Sequence, residues 1–492
     1  MADGQADIAR EERMLIGGRL VEARDGGVFP NVNPATEEEI GVTADGTAAD
    51  MDAAIAAARR AFDETDWPRD VRFRVHCLRQ LQQALTKHAE RLRATIVAEA
   101  GSPVTLTHGA QLDSPIEGLG WVADLAENYA WTTDLGVAEP YGIRSRRLLR
   151  REPIGVVGAI TPWNFPMQIN LAKIGPALAA GNTVVLKPAP DTPWTATLLG
   201  RLAAEETDLP PGVLNVVPSS RHELGAQLAE DPRVDMISFT GSTAVGRSVM
   251  AAGAATIKKV FLELGGKSAL LALDDADMRA VVGNAAFQIT THAGQGCAIL
   301  TRLVLPRSRY AEGLEMLVET LREWPYGDPA DPGTLMGPLI NERQRERVLG
   351  YIDKGVAEGA RLVLGGGVPK HLPTGYYVEP TVLAEVDENA TVAQEEIFGP
   401  VLCVLAHDGD DDAVRIANNS RYGLSGMVIS ASAERARAVA DRVRTGTISV
   451  NGGLFYGPDV PFGGYRQSGV GRESGVAGFE EYLEIKAIAE RL

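Results

Sequence analysis

Cysteine is scarce in this sequence. Its 492 residues include only Cys77, Cys297 and Cys403, too few for a disulfide framework, which points to a reducing compartment. Positive charge is also short: 48 Lys and Arg stand against 65 Asp and Glu, a net charge of −17. The acidic residues are spread along the chain, which disfavours nonspecific binding to nucleic acid or an anionic membrane. No apolar run reaches the roughly 18 residues of a membrane span. The N-terminal MADGQADIAREERMLIGGRL has no apolar segment behind a basic start, so no signal peptide is expected. The P-loop pattern G-x-x-x-x-G-K-[ST] is absent, so nucleotide hydrolysis is not favoured. No Cys/His cluster has metal-ligand spacing, so no metal site is expected. What is present is ordinary: a hydrophobic fraction of 45% and a charged fraction of 23% suit a soluble, cytoplasmic, multidomain protein with a large core.

The pattern of apolar residues gives the organisation. The first 45 or so residues read as short strands and turns. AADMDAAIAAARRAFDE then places apolar residues three and four apart, which predicts an amphipathic helix. A second helix is expected from Val71 to Ala100, capped by Gly101. After Glu152 come branched apolar runs in IGVVGAITPWN, GNTVVLKPA, GVLNVVPSS and VDMISFTGS, with helical segments between them. Buried parallel strands alternating with helices predict a doubly wound α/β domain. SALLAL, TRLVLP, VLCVLAH, GMVIS and GTISVNG continue the alternation, so a second α/β domain is expected from Glu263. GIRSRRLLRRE (142–152) carries five arginines. Without interleaved aromatics in an acidic chain, it reads as an exposed strand meeting acidic surface on another subunit rather than a nucleic-acid patch.

Two segments could meet a cofactor. VDMISFTGSTAVGRSVMAAGA is a strand, a glycine turn at Gly241 and Gly246, and a helix, so backbone N–H groups and the helix dipole could face a phosphate. Such turns also occur with no ligand. Lys187 ends a buried-type strand, where it is either a surface residue or a donor to ribose hydroxyls. Four further polar features stand out, each with an inert reading when taken alone: Asn164 in TPWNFP, Glu263 in LELGGKS, Cys297 in GQGC, and Glu395 and Glu396 in EEIFGP. A thiol nucleophile, an amide donor and a carboxylate base are the parts of covalent chemistry at a carbonyl. A Cys–His reading through His292 would need an orienting group that the sequence does not place.

TPWNFP, GNTVVLKPA, FTGST, LELGGKS, GQGC, EEIFGPV and PFGGYRQSGVGRE stand in the order found in the aldehyde dehydrogenase superfamily, and the chain resembles that family from about residue 14 to its C-terminus. The resemblance implies two doubly wound parallel-sheet domains plus a small oligomerisation β-hairpin. Residues 1–130 and 154–262 would form the dinucleotide-binding domain and 263–465 the catalytic domain, with 131–153 and 466–492 as oligomerisation segments of a homodimer or homotetramer. It implies oxidation of an aldehyde to the acid with NAD(P) and water. Cys297 would attack the aldehyde, Asn164 and the Cys297 N–H would hold the oxyanion, and Glu263 would activate water against the thioester. Lys173 and Glu473 match positions of a proton relay. Lys187 would bind the adenosine ribose and Glu396 the nicotinamide ribose, with Thr161, Trp163, Gly225, Phe239, Gly241, Ser242, Val245, Leu264, Gln344 and Phe398 lining the site. The substrate pocket would comprise Phe165, Met167, Ala172, Ala298, Leu454, Phe455 and Tyr456, which favours apolar aldehydes.

One position departs from the pattern. Many NAD-preferring members carry Glu three residues after the ribose lysine, whereas this chain has Pro190. Proline neither bonds the ribose nor repels a 2′-phosphate, so NAD is the preferred expectation and NADP remains possible. Two rivals within the fold are a CoA-acylating dehydrogenase, disfavoured by the presence of Glu263, and a catalytically silent binding or structural member, disfavoured by intact Cys297, Glu263 and Asn164. No role is assigned to Gln295 or His292.

Overall fold

The computed structural model describes residues 8–492. The first seven, part of the N-terminal stretch read for a signal peptide, lie outside the described residues. Thr47 starts the first helix, Ala48–Glu64, through a reciprocal cap. Its side-chain oxygen accepts from the Asp50 N–H, and the Asp50 carboxylate accepts from the Thr47 N–H at 2.9 Å, which satisfies two otherwise open donors. The stripe Met51, Ala54, Ile55, Ala58 and Ala61 is buried. The helix expected over Val71–Ala100 is two helices, Val71–Lys87 and Ala89–Ala100, meeting at His88 (φ −103°, ψ 12°). The break is made by tertiary contacts: the His88 ring and the Lys87 ammonium both engage the Glu206 carboxylate, at 2.6 and 2.8 Å. Gly101 closes the second helix in the left-handed conformation (φ 64°), where glycine has no Cβ penalty.

Five parallel strands form the centre of the first sheet, in the order Lys259–Leu264, Met236–Gly241, Val156–Ile160, Thr183–Lys187 and Leu214–Val216. Antiparallel edges close it: Gly469–Val470 on one side, Met14–Ile16 and Arg19–Val21 on the other. Alternate residues face two separate cores. Val157, Ala159, Val184 and Leu186 pack with the helix Pro166–Ala180, while Val156, Val185 and Ile237 pack with Ala48–Glu64. Chain order runs outward from Val156–Ile160 to Leu214–Val216, then returns to Met236–Gly241 on the other flank. That reversal creates a crevice at the carboxyl ends of Val156–Ile160 and Met236–Gly241, where open α/β sheets take ligands.

The second sheet has six parallel strands, in the order Thr381–Ala384, Val401–His407, Arg302–Pro306, Ala269–Ala272, Gly426–Ile429 and Ser449–Val450, with Arg361–Leu364 antiparallel at one edge. Glu263, the residue at which the second domain was expected to begin, lies in the first sheet, paired in register with Thr240 and Gly469. The first strand of the second sheet starts at Ala269. The segment Gly469–Val470, expected among the oligomerisation residues, likewise joins the first sheet.

A third, antiparallel sheet pairs Thr132–Ala138 with Ser145–Pro153, and the latter with Leu483–Arg491 in unbroken register from Leu483↔Pro153 to Arg491↔Ser145. Two of its arginines already have acidic partners within the chain: Arg146 meets Asp134 at 2.9 Å and Arg151 lies 3.6 Å from Glu480. Among the described residues no helix is long and apolar enough to cross a membrane.

Candidate active site

The helix Met278–Thr290 leads into the segment that carries Cys297. His292, Ala293 and Gly294 follow in succession with φ of 47°, 53° and 72°. Left-handed backbone costs an ordinary residue on the order of 1 kcal/mol, so this turn is held by its surroundings. Gly294 is the position without latitude, since a Cβ there would lie 2.1 Å from the Gly399 carbonyl oxygen. The fully buried Gln295 supplies much of the restraint. Its Nε2 donates to the His292 carbonyl at 3.0 Å, and its Oε1 accepts from the Ile340 N–H at 2.9 Å. The role that the sequence left unassigned to Gln295 is therefore to pin the turn ahead of Cys297. His292 is buried against the Phe165 ring at 5.6 Å, and burial lowers its pKa to about 4. Neither of its ring nitrogens has a hydrogen-bond partner among the described residues, so it makes no hydrogen bond to the Cys297 thiol and reads as a packing residue.

Asn164 reaches the same segment from the loop after Val156–Ile160. Its Nδ2 donates to the Gln295 carbonyl at 2.7 Å, and its own carbonyl accepts from Gln111 Nε2 at 2.9 Å. One of the two amide N–H bonds is used in this way, and the second remains for a ligand. Gln111, fully buried, was not singled out from sequence. A lone glutamine in a polar loop carries no signal of what it touches.

Glu263 sits at the carboxyl end of its strand and is 2% exposed. Neither carboxylate oxygen has a hydrogen-bond partner among the described residues. Burial, then the neighbouring Glu473, push its pKa well above the usual carboxylate range, while Lys173 and Arg472 pull the other way. Gly463 leaves room for it: a Cβ there would lie 2.6 Å from Glu263 Oε1. Lys173, wholly buried in the helix Pro166–Ala180, donates to Glu473 Oε1 at 3.1 Å and to Ser238 Oγ at 3.3 Å. Its ammonium also rests 4.9 Å from the centre of the Phe261 ring. The Cys297 thiol is partly exposed, and its pKa is raised by burial, then by Glu263, Glu396 and Glu473. A thiol, an aimed amide donor and an unpaired carboxylate thus converge, a set able to form and hydrolyse an acyl–sulfur bond.

The crevice beside them has the features of a dinucleotide cradle. Ser242 caps the helix Thr243–Gly253, its Oγ accepting from the Val245 N–H at 3.3 Å, and Val245 is half exposed at that end. Gly241 lies against the Phe239 ring and Gly246 against Leu264, and a Cβ at either would come within 2.6 Å of its neighbour. Lys187 is buried with one long contact, 3.4 Å to the Ser219 carbonyl, and desolvation lowers its pKa to about 8. Gly225 packs beside its side chain, and Thr161 donates its N–H to the Lys187 carbonyl at 3.2 Å. Across the crevice, Glu396 accepts from the Gly266 N–H at 3.1 Å, and burial raises its pKa to about 7. Trp163 and Phe398 meet edge to face at 5.4 Å. Gln344 Nε2 is spent on the Phe398 carbonyl at 2.7 Å, so it acts on the loop that carries Glu396. Among the described residues no group of three or more His, Cys, Asp or Glu could hold a metal ion.

The expected substrate residues separate. The Phe455 and Tyr456 rings lie tilted at 39° with centres 4.6 Å apart, Tyr456 and Phe462 stack at 6.2 Å, and Tyr456 lies within electrostatic reach of Cys297. Phe165 and Ala172 are partly exposed and Ala298 is buried. Leu454 is 89% exposed, so it stands at the rim of the protomer rather than in its interior. Met167 does not line the pocket: it is fully buried in the core beneath the first sheet, because its position on the helix faces the Ala159 side of that sheet.

Comparison with known proteins agrees with this architecture. The aldehyde dehydrogenase family model matches residues 20–488. The 3-succinoylsemialdehyde-pyridine dehydrogenase of a Pseudomonas species is 42% identical, with 96% of this chain and 97% of that protein covered. A Mycobacterium tuberculosis aldehyde dehydrogenase complexed with NAD+ superposes with a TM-score of 0.93 at 42% identity, over 97% of each chain. A mutant of aldehyde dehydrogenase C from Pseudomonas syringae, complexed with NAD+ and octanal, superposes at 0.91 with 40% identity, over 99% of this chain and 98% of that one. The chain belongs to the aldehyde dehydrogenase family, enzymes that oxidise aldehydes with NAD(P).

Proposed function

We propose that this enzyme oxidises an uncharged, apolar aldehyde to its carboxylic acid, with Cys297 as nucleophile and Glu263 as the base that hydrolyses the thioester. The observation that carries this reading is the buried Glu263 carboxylate, unpaired at both oxygens and electrostatically coupled to Cys297. Leaving a carboxylate without partners costs stability, and a general base is the reason to keep one. The Cys297 sulfur adds to the aldehyde carbon, and the second N–H of Asn164 with the Cys297 N–H holds the resulting oxyanion. A nicotinamide cofactor bound in the crevice would supply the hydride acceptor for this oxidation, and Cys297 would then carry the acyl group. Glu263 then takes a proton from the attacking water. Its raised pKa suits that task, and Lys173 with Glu473 forms the polar path behind it.

Lys187 would hold the adenosine ribose and Glu396 the nicotinamide ribose. Thr161, Trp163, Gly225, Phe239, Gly241, Ser242, Val245, Leu264 and Phe398 would shape the cradle, and Gln344 would steady the Glu396 loop. NAD is the preferred cofactor, supported by the NAD+ complexes among the structural neighbours. NADP use is the variant that Pro190 leaves open. The aromatic ladder Phe455–Tyr456–Phe462 and the absence of charge among Phe165, Ala172, Ala298, Leu454 and Tyr456 support an apolar substrate. The octanal bound to the Pseudomonas syringae neighbour supports the same class. A cytoplasmic homodimer or homotetramer completes the reading. The test is formation of reduced cofactor with a panel of aldehydes, octanal included, using NAD and NADP side by side. Turnover confined to cationic or acidic aldehydes would overturn the substrate class, a higher kcat/KM with NADP would overturn the cofactor preference, and turnover by Cys297→Ala would overturn the mechanism.

A further inference from the structure

Behind Glu263 lies a buried chain of polar groups that the reaction above does not fully use. Lys173 Nζ has two directional partners, Glu473 Oε1 at 3.1 Å and Ser238 Oγ at 3.3 Å. Ser238 Oγ in turn meets the Tyr482 hydroxyl at 2.9 Å. Ser238 is 0% and Tyr482 2% exposed, so neither hydroxyl has bulk water as an alternative. Their backbones come from separate places. Ser238 is on the central strand Met236–Gly241, and Tyr482 ends the loop before Leu483–Arg491, where its carbonyl accepts from Asn182 Nδ2 at 3.0 Å.

We propose that Ser238 and Tyr482 are positioning residues that fix the Lys173 ammonium at Glu473 and so set the charge environment in which Glu263 works. The inference rests on Glu263 being the base of thioester hydrolysis. A flexible lysine offers three donors and no fixed geometry, and the flat Phe261 face gives attraction without direction. The Ser238 hydroxyl, itself oriented by Tyr482, supplies the direction. The charged groups acting on Glu263 are Glu473, Lys173 and Arg472, and the titratable Cys297 thiol lies within their field. Arg472 is committed elsewhere, with Nη1 on the Gly464 and Gly471 carbonyls at 3.2 and 2.6 Å. Glu481, which lies near Tyr482, is paired with Lys259 at 3.1 Å. Lys173 is therefore the cation whose placement the Ser238–Tyr482 pair can govern. Losing either hydroxyl loosens the ammonium, weakens the one positive influence it exerts on Glu263, and lets the carboxyl hold its proton to higher pH.

The test uses p-nitrophenyl acetate, which acylates a nucleophilic thiol whatever the preferred chain. The burst of p-nitrophenol reports acylation and the following steady phase reports hydrolysis. Tyr482→Phe and Ser238→Ala, both close in volume to the native residues, are each expected to keep the burst. Each should shift the acid limb of the hydrolysis rate upward by roughly half to one pH unit, and the double variant should shift it no further than the larger single effect. Limbs that overlay the wild type, or a rate lowered equally at every pH, would overturn the inference. Glu263→Gln separates the two levels. If it hydrolyses as fast as wild type, the base assignment fails and this inference with it; if it is slow while both hydroxyl variants overlay wild type, only the positioning role fails.

Discussion

At the scale of single residues, the site is built from groups whose environments oppose their chemistry until a reaction intermediate arrives. Glu263 illustrates this most directly, since its raised pKa has consequences for both rate and stability. As a base it acts only when ionised, so hydrolysis should be lost as pH falls through a value well above 4.5. For stability the sign is opposite. A carboxyl whose folded pKa lies above its unfolded value favours folding below the unfolded pKa, and that contribution disappears as pH rises through the folded one. Glu263→Gln is therefore expected to slow thioester hydrolysis by about 10²- to 10⁴-fold. It should also raise the melting temperature at alkaline pH by roughly 1–3 °C while leaving it unchanged in acid. Kinetics and thermal scans across pH check both halves, and equal melting shifts at all pH would sink the unpaired-carboxylate account. Asn164 has a different signature. It is tethered through one N–H and offers the other, so Asn164→Ala should cost about 10²- to 10³-fold in kcat. Alkylation of Cys297 by iodoacetamide, which forms no oxyanion, should proceed at close to the native rate.

At the scale of elements, the loops before and after the strands do the positioning. The Thr291–Gly294 turn stores left-handed backbone immediately ahead of the nucleophile and is clamped by Gln295 and Gly399. Gly294→Ala adds a Cβ that meets the Gly399 carbonyl in a conformation alanine resists. It should lower the melting temperature and also reduce kcat/KM by at least about tenfold, because the Gln295 carbonyl that holds Asn164 moves with the turn. A variant that lost stability but kept native kcat/KM would separate the turn from the chemistry. These loops were also where sequence reasoning stopped. The strands were legible because a strand buried on both faces is an unbroken branched run, as in VVGAI and TVVLK. The glycine turn at Gly241 and the residues Cys297, Asn164 and Glu263 each had an inert reading on their own neighbours, and it was the ordered resemblance of FTGST, GQGC, TPWNFP and LELGGKS to one family that set them together. The break at His88 was not legible, since the carboxylate that makes it comes from Glu206, 118 residues away. Gln295 was not legible either, because it pins backbone groups of Pro338 and Ile340, and a backbone partner leaves no residue-type signal. Met167 misled for a related reason: adjacency to Asn164 in sequence says nothing about which face of the helix it takes.

At the scale of the whole molecule, the outer antiparallel sheet is the feature a lone protomer does not explain. Leu135, Val137 and Ile485 are 51%, 52% and 65% exposed on it, with Ile143 at its turn and Leu492 at its end also bare to solvent. The register pairs Val137 with Arg146 and Ile485 with Arg151, which sets Val137 and Ile485 on opposite faces, so both faces of this sheet bare hydrophobic side chains of the kind that mark an interaction surface. Under the proposed homodimer or homotetramer, the occupant of that surface would be a second copy of the chain in symmetric contact. The strand Leu483–Arg491 is tied at its start to the polar chain behind Glu263 through Tyr482, but its outward face is separate from that chain. Ile485→Arg, which places charge on the face that bares Ile485 without touching the ladder hydrogen bonds, should therefore convert the proposed oligomer to a smaller species in sedimentation velocity. The family's chemistry should survive in that species, because Cys297, Asn164, Glu263 and the Lys187 crevice are all contributed by one chain. If Ile485→Arg leaves the sedimentation coefficient of the wild type unchanged, the interface lies elsewhere and the exposed face of this sheet needs another partner.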